Sequence, residues 1–280
     1  MKSLSGALAD IRPHDPGLYP DDDRCEQCRV YHDPTACGVC HGAGRVRLNY
    51  RVGDPNFGKA IICGACGGTG VERRNLPAEQ WEAADNALEE EFVRRSHIDR
   101  VFQRLRLGTW LPEDDIPRRE CEAFASEWPP QRPLMLFSGE SGRGKSGMAC
   151  ATIRAVWERH NVIGQFFPWV QLVQRYRNAM DKDARETGEA IDRLLEDAPL
   201  LVLDDYGADS GTQWAEERIF AAIDTRWRQQ TPLIVTTNIP VGKVPERIFS
   251  RMSDVETSRM VVFDGPDRRQ LPHQGEGARK

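Results

Sequence analysis

The chain has 280 residues, enough for one α/β domain of ordinary size with a smaller module beside it. At 39% hydrophobic and 29% charged it has the composition of a globular protein in water. Its formal net charge of −5 excludes a wholly basic nucleic-acid coat but not a local basic groove. No apolar run approaches the ~20 residues that span a bilayer. The opening Met1-Lys2-Ser3-Leu4-Ser5-Gly6 lacks the apolar core of a signal peptide, so a cytoplasmic location and no membrane partner are expected.

In chain order, residues 1–24 are polar and rich in Pro and Asp and read as a disordered lead-in. Residues 25–75 hold six of the eight cysteines, arranged as three Cys-x-x-Cys pairs. In a reducing compartment such pairs are metal ligands rather than disulfides. Cys37-Gly-Val-Cys40-His-Gly-Ala-Gly and Cys63-Gly-Ala-Cys66-Gly-Gly-Thr-Gly share the form C-x-x-C-x-G-x-G. Two thiolates three positions apart on a tight turn face one ion, and the glycines turn backbone N–H groups toward the sulfurs. Joined by a hairpin from Val46 to Ile62, the two knuckles predict a tetrahedral Zn²⁺ site at Cys37, Cys40, Cys63 and Cys66. A segment so poor in aliphatic residues needs that metal to fold. Cys25 and Cys28 lack the glycine pattern. A second zinc, completed by His32, His41 or the more remote His14, and a free thiol pair stand as equal readings. Swapped pairing with the knuckles is a third.

Residues 76–114 read as a helical connector, since Ala84, Leu88, Phe92, Ile98, Val101, Phe102 and Leu105 recur at helical spacing up to Leu107. From 115 to 268 short apolar runs alternate with amphipathic stretches. The runs are Leu134–Phe137, Val162–Phe167, Leu200–Leu203, Leu233–Val235 and Met260–Phe263, with helices expected over Met148–Trp157 and Trp214–Trp227. Five buried strands separated by helices predict an α/β fold with a parallel sheet sandwiched by helices. Residues 269–280 form a polar tail.

Gly139-Glu140-Ser141-Gly142-Arg143-Gly144-Lys145-Ser146 matches G-x-x-x-x-G-K-S between an expected strand and helix. In such a loop, extended here to Gly147, backbone N–H groups and the helix N-terminus cradle the phosphates of ATP. Lys145 reaches the β- and γ-phosphates, and the Ser146 hydroxyl ligates Mg²⁺. The buried run Leu201-Val202-Leu203 ends in Asp204 and Asp205, which puts carboxylates at the sheet's C-terminal edge. Asp204 is expected in the Mg²⁺ shell, and Asp205 beside the attacking water. Thr236-Thr237-Asn238 closes the next strand, from which Asn238 would orient water or the γ-phosphate. In Glu246 to Met252, Arg247 and Arg251 share one helical face. By itself that face reads as solvated and basic, with a finger toward another subunit's ATP as the second reading.

The order of these motifs resembles AAA+ ATPases of the DnaC/IstB type, bacterial helicase loaders and their relatives in transposition, over roughly residues 115 to 270. Trp214-Ala-Glu-Glu, Phe220 and the closing Phe263-Asp-Gly-Pro-Asp-Arg-Arg add to the likeness. The resemblance implies a P-loop AAA+ sheet of five parallel strands with the sensor strand between the two Walker strands. It also implies Walker A residues at Lys145 and Ser146, Walker B acids at Asp204 and Asp205, sensor 1 at Asn238 and an arginine finger at Arg251. Too little chain follows Arg251 for a full helical lid. The sensor-2 arginine of such a lid has no assigned counterpart, with Arg268 and Arg269 the cations left to consider. The knuckles resemble those of DnaJ-type cysteine-rich domains, but no J-domain accompanies them, and zinc modules precede the ATPase domain in some helicase loaders.

The resemblance implies a helicase loader acting in DNA replication, with a replicative helicase, single-stranded DNA and further copies of itself as partners. Alternatives are an IstB-like transposition helper and a zinc-module adaptor that uses ATP only as a binding switch. Phe166, Phe167 and Trp169 beside Arg175 and Arg177 suit base stacking, though strand core is the better reading of the phenylalanines.

Overall fold

The computed structural model describes residues 36–40, 42–47, 60–71, 77–109, 116–181, 184–208 and 213–270. The 1–24 lead-in, the Cys25/Cys28 pair, His14, His32, His41 and residues 271–280 of the tail lie outside the described residues. The chain divides into two units, residues 1–94 and 95–280.

In the first unit the expected hairpin is present. Strands β1 (Arg45–Arg47) and β2 (Ala60–Ile62) pair antiparallel with Arg45 opposite Ile62. Helix α1 (Ala78–Ser96) follows and lies close to the second knuckle, where a Cβ on Gly67 would come 2.5 Å from that of Ala84. The apolar spacing predicted helix as far as Leu107, but α1 stops at Ser96, where His97 takes a left-handed φ of 59°. Such a residue ends the i→i−4 ladder however well the later side chains are spaced.

The second unit holds the five expected strands, β3 (Leu134–Ser138), β4 (Gln165–Pro168), β5 (Leu201–Tyr206), β6 (Leu233–Thr237) and β7 (Ser258–Val262). They form one parallel sheet in the order β4-β5-β6-β3-β7. The helices are α2 (Ile116–Ser126), α3 (Lys145–His160), α4 (Trp169–Asn178), α5 (Gly188–Asp197), α6 (Gln213–Gln229) and α7 (Glu246–Met252).

Alternate strand residues face opposite sides of the sheet. Leu134, Leu136, Leu201, Leu203, Leu233 and Val235 join a buried core with Leu172 and Tyr176 of α4, Leu195 of α5, Ile219 and Ile223 of α6, and Ile248 of α7. α3 is apolar nearly all round and buried from Met148 to Val156, as a helix covered on several sides must be. Arg226 of α6, also fully buried, donates to the carbonyls of Leu195 at 3.0 Å and Pro232 at 2.8 Å, tying α5 and the start of β6 to one helix. Because β6 lies between β5 and β3, all three strands deliver their C-terminal residues to one stretch of the sheet edge.

Candidate functional site

β3 ends at Ser138 and α3 begins at Lys145, so the glycine loop makes the strand-to-helix turn that its sequence predicted. Gly142 has φ of 81° and faces the Asp267 carboxylate, 2.4 Å from where a Cβ would sit. No L-residue fits that conformation and that space together. The segment after β7 follows the loop closely. The Arg268 amide donates to Gly142 O at 2.8 Å, and Arg269 Nη2 donates to Ser141 Oγ at 3.2 Å.

Lys145 is 5% exposed, and its ammonium makes three bonds, to the carbonyls of Gly139 (2.7 Å) and Glu140 (2.8 Å) and to Asn238 Oδ1 (2.7 Å). Burial lowers its pKa, while the charges of Asp205 and Asp204 act the other way. Asn238 Nδ2 donates to Asp205 Oδ1 at 2.5 Å, so one amide bridges the lysine of one loop and the second acid of β5. Asp205 holds a left-handed φ of 59°, and the β5–β6 register shifts between Leu203 and Tyr206. The kink takes the Asp205 amide out of the ladder and onto Thr236 Oγ1 at 2.8 Å.

The same Thr236 hydroxyl donates to Asp204 Oδ1 at 2.6 Å. Asp204 is 7% exposed, and the Ser146 hydroxyl lies near enough to favour its charged form. Burial raises the Asp204 pKa, and the hydroxyls of Thr236 and Ser146 work against that rise. A buried carboxylate near a serine hydroxyl at a helix N-terminus is an all-oxygen donor pair suited to a hard divalent cation. Thr236 is the residue that sequence reasoning missed. Its only signal was a hydroxyl directly after the predicted apolar run Leu233–Val235, and its role depends on a register no local pattern contains.

Arg251 is not brought to this loop. Among the described residues its side-chain bonds and ring contacts go to Asp224, Phe220 and Trp227 of α6 and to Ser250. Arg247 lies over the Phe220 ring at 5.0 Å, near enough to the Tyr206 hydroxyl to offset part of the rise that burial gives its pKa. Phe166 and Phe167 are buried in β4, as the strand-core reading had it; Trp169, the first residue of α4, is buried too, and Arg175 is paired with Glu186.

In the first unit the sulfurs of Cys37, Cys40, Cys63 and Cys66 all lie within 4.8 Å of one another and are buried. Two pairs stand at 3.9 Å (Cys37–Cys63) and 3.7 Å (Cys40–Cys66). A tetrahedron with Zn–S bonds of about 2.3 Å has edges of about 3.8 Å, so this cluster has the size a zinc site needs. The amides of Gly44 and Gly70 donate to Cys40 Sγ (3.2 Å) and Cys66 Sγ (3.3 Å), as the knuckle pattern predicted. Burial pushes the Cys40 thiol up to about 11 and the Cys63 thiol higher. For Cys66 burial acts in the same sense and is the largest single influence, but the amides of Gly70 and Gly68 together with the Cys40 and Cys63 thiols outweigh it, and its pKa falls below the ordinary thiol value. The chemistry and spacing of the four donors fit a metal ion.

No protein-family model and no curated protein matches the chain. Solved structures do. The DnaC helicase loader superposes with a TM-score of 0.51 at 23% identity, covering 59% of this chain and 100% of that one. AMPPCP-bound DnaA from Aquifex aeolicus gives 0.51 at 16% identity, over 61% of this chain and 54% of that one. The replication initiator DnaA bound to AMPPCP and single-stranded DNA gives 0.50 at 14% identity, over 60% and 51%. The chain has the P-loop AAA+ fold.

The AAA+ sheet order brings Lys145, Ser146, Asp204, Asp205 and Asn238 together at one edge, and leaves Arg251 on α7 among side chains of α6. Among the described residues no helix is long and apolar enough to cross a membrane.

Proposed function

We propose that the chain is an ATP-hydrolysing helicase loader acting in DNA replication. The observation that carries the ATPase reading is the bridge from Lys145 through Asn238 to Asp205, which joins three motifs far apart in sequence. ATP binds the loop from Gly139 to Gly147, with Lys145 on the β- and γ-phosphates. Ser146 and Asp204 hold Mg²⁺, which neutralises charge on the phosphate oxygens when bound. Asp205 draws on a proton of the attacking water while Asn238 orients that water. The water oxygen bonds the γ-phosphorus, the bond to the β–γ bridging oxygen breaks, and ADP and phosphate leave. Arg251 acts on the ATP of a neighbouring copy, where such a cation is worth about 10³–10⁵ in rate.

The loader reading draws support from the order of motifs, from the likeness to DnaC over the whole of that chain, and from a cysteine module preceding the ATPase unit. Cys37, Cys40, Cys63 and Cys66 hold Zn²⁺, which fixes the knuckle fold, and the module docks on the helicase. Hydrolysis then releases or remodels the partner on single-stranded DNA. The test is capture from host extract by the full chain in ATP, with the replicative helicase and transposases each assayed. Recovery of the helicase supports loading. Recovery of a transposase without helicase contradicts it and selects the transposition helper.

A further inference from the structure

One face of α6 forms a cradle for the guanidinium of Arg251. Phe220, Asp224 and Trp227 are spaced i, i+4 and i+7, so their side chains stand in one row. Arg251 Nε donates to Asp224 Oδ1 at 3.0 Å, and its charge lies 5.7 Å from the Phe220 ring centroid and 5.3 Å from that of Trp227. Nη1 donates to Ser250 Oγ at 2.9 Å, and among the described residues Nη2 makes no bond. Asp224 is itself held, with Arg228 Nε 2.7 Å from its Oδ2, and its side chain is only 16% exposed.

An ordinary structural ion pair has little reason for this arrangement. An arginine on the surface gains most from a carboxylate when two nitrogens engage both oxygens in a fork. Here Asp224 gives one oxygen to Nε and the other to Arg228, and two aromatic rings add to the grip on the guanidinium. The side chain thereby loses its rotamer freedom while one terminal nitrogen stays available. A guanidinium has five donors, so it can keep its bond to Asp224 and still bind a phosphate oxygen.

We propose that Asp224 is a positioning residue, holding Arg251 with the help of Phe220 and Trp227 in the orientation that meets the γ-phosphate bound by a neighbouring copy. The inference rests on the reading of Arg251 as a group that acts in trans. Asp224 touches neither ATP nor water. Its effect is to deliver an arginine that is already aimed, and misplacing such a group by about 1 Å costs on the order of 10² in rate.

The test is steady-state ATP turnover of the full chain with Mg²⁺ over a range of protein concentrations, together with nucleotide-binding titrations. Asp224→Ala is expected to lower kcat about tenfold to a hundredfold with KM and ATP affinity unchanged, because its own phosphate loop is intact. Asp224→Asn, which preserves side-chain volume, is expected to lose less, and carries the test if the alanine variant melts early. Mixing Asp224→Ala with Lys145→Ala should restore turnover, since one chain supplies the loop and the other a well-held arginine.

Failure of the mixture to recover, with ATP affinity falling alongside kcat, would mean a structural role only and overturn the proposal. A rise in turnover would overturn it too, marking Asp224 as a latch that restrains Arg251. If Arg251→Ala is impaired and Asp224→Ala and Asp224→Asn are not, the positioning role fails alone. If Arg251→Ala is fully active, the trans reading fails and takes the positioning role with it.

Discussion

The Lys145 ammonium lies 2.7 Å from the side-chain carbonyl of Asn238, 93 residues further along the chain. The contact exists because β6 is inserted between β3 and β5, so that the residue after β6 reaches the loop after β3. Asn238→Ala is expected to leave ATP binding within a few-fold of wild type and to lower turnover about 10²-fold, the usual effect of deleting one preorganised polar group. Turnover assays beside binding titrations check this, and unchanged turnover would remove Asn238 from the chemistry.

Asp204 predicts a pH-dependent stability of unusual sign. Its folded pKa lies above the ordinary carboxylate value, because burial opposes the charge. The unfolded chain therefore loses this proton first as pH rises. The stability tied to it is complete below the unfolded pKa of about 4 and is lost as pH climbs through the folded value. Asp204→Asn should thus melt higher than wild type near pH 7 without nucleotide, with the difference shrinking toward pH 4, while hydrolysis is abolished. Thermal melts across that range measure it, and a variant that melts lower at pH 7 would contradict the sign.

Much of this fold was legible in the sequence, for a physical reason. Strands buried on both faces of a parallel sheet must be apolar throughout, so Leu200 to Leu203 and Leu233 to Val235 stand out as continuous runs. The switch at Pro168 was hidden, because α4 starts at Trp169 directly after β4 and the apolar run crosses the boundary unbroken. Thr236 was illegible for another reason. It serves both acids only because β5 kinks at Asp205 and shifts register against β6. Arg251 was ambiguous, since a basic helix face looks alike whether solvated or held by Asp224, Phe220 and Trp227.

The contact between the glycine loop and the segment after β7 has its own consequence. Gly142→Ala would place a methyl against the Asp267 carboxylate and force a side chain into φ near 81°. A loss of about 1–3 kcal/mol and weakened ATP binding are expected. Gly142→Ala with Asp267→Ala should recover part of the stability, because the second change clears the space but not the backbone strain. Chemical denaturation of both variants measures the difference, and no recovery would mean that the backbone conformation carries the whole cost.

Metal analysis addresses the cysteine cluster. The four sulfurs of Cys37, Cys40, Cys63 and Cys66 predict one tightly held zinc per chain, lost in Cys63→Ser with unfolding of the knuckles, since structural zinc contributes about 10–16 kcal/mol. Nucleotide binding by residues 95–280, a separate unit, should survive. Two zinc ions per chain, one of them removed by Cys25→Ser, would assign the first cysteine pair to a second site, and one ion would leave it a thiol pair.

The claim that Lys145, Asp204, Asp205 and Asn238 form one ATP-hydrolysing site is tested most directly by steady-state turnover of the full chain with Mg²⁺ and ATP, wild type against Lys145→Ala. Turnover that falls to background in the variant, in a chain that melts as wild type does, is the predicted result. A Lys145→Ala chain that hydrolyses ATP at the wild-type rate would contradict it.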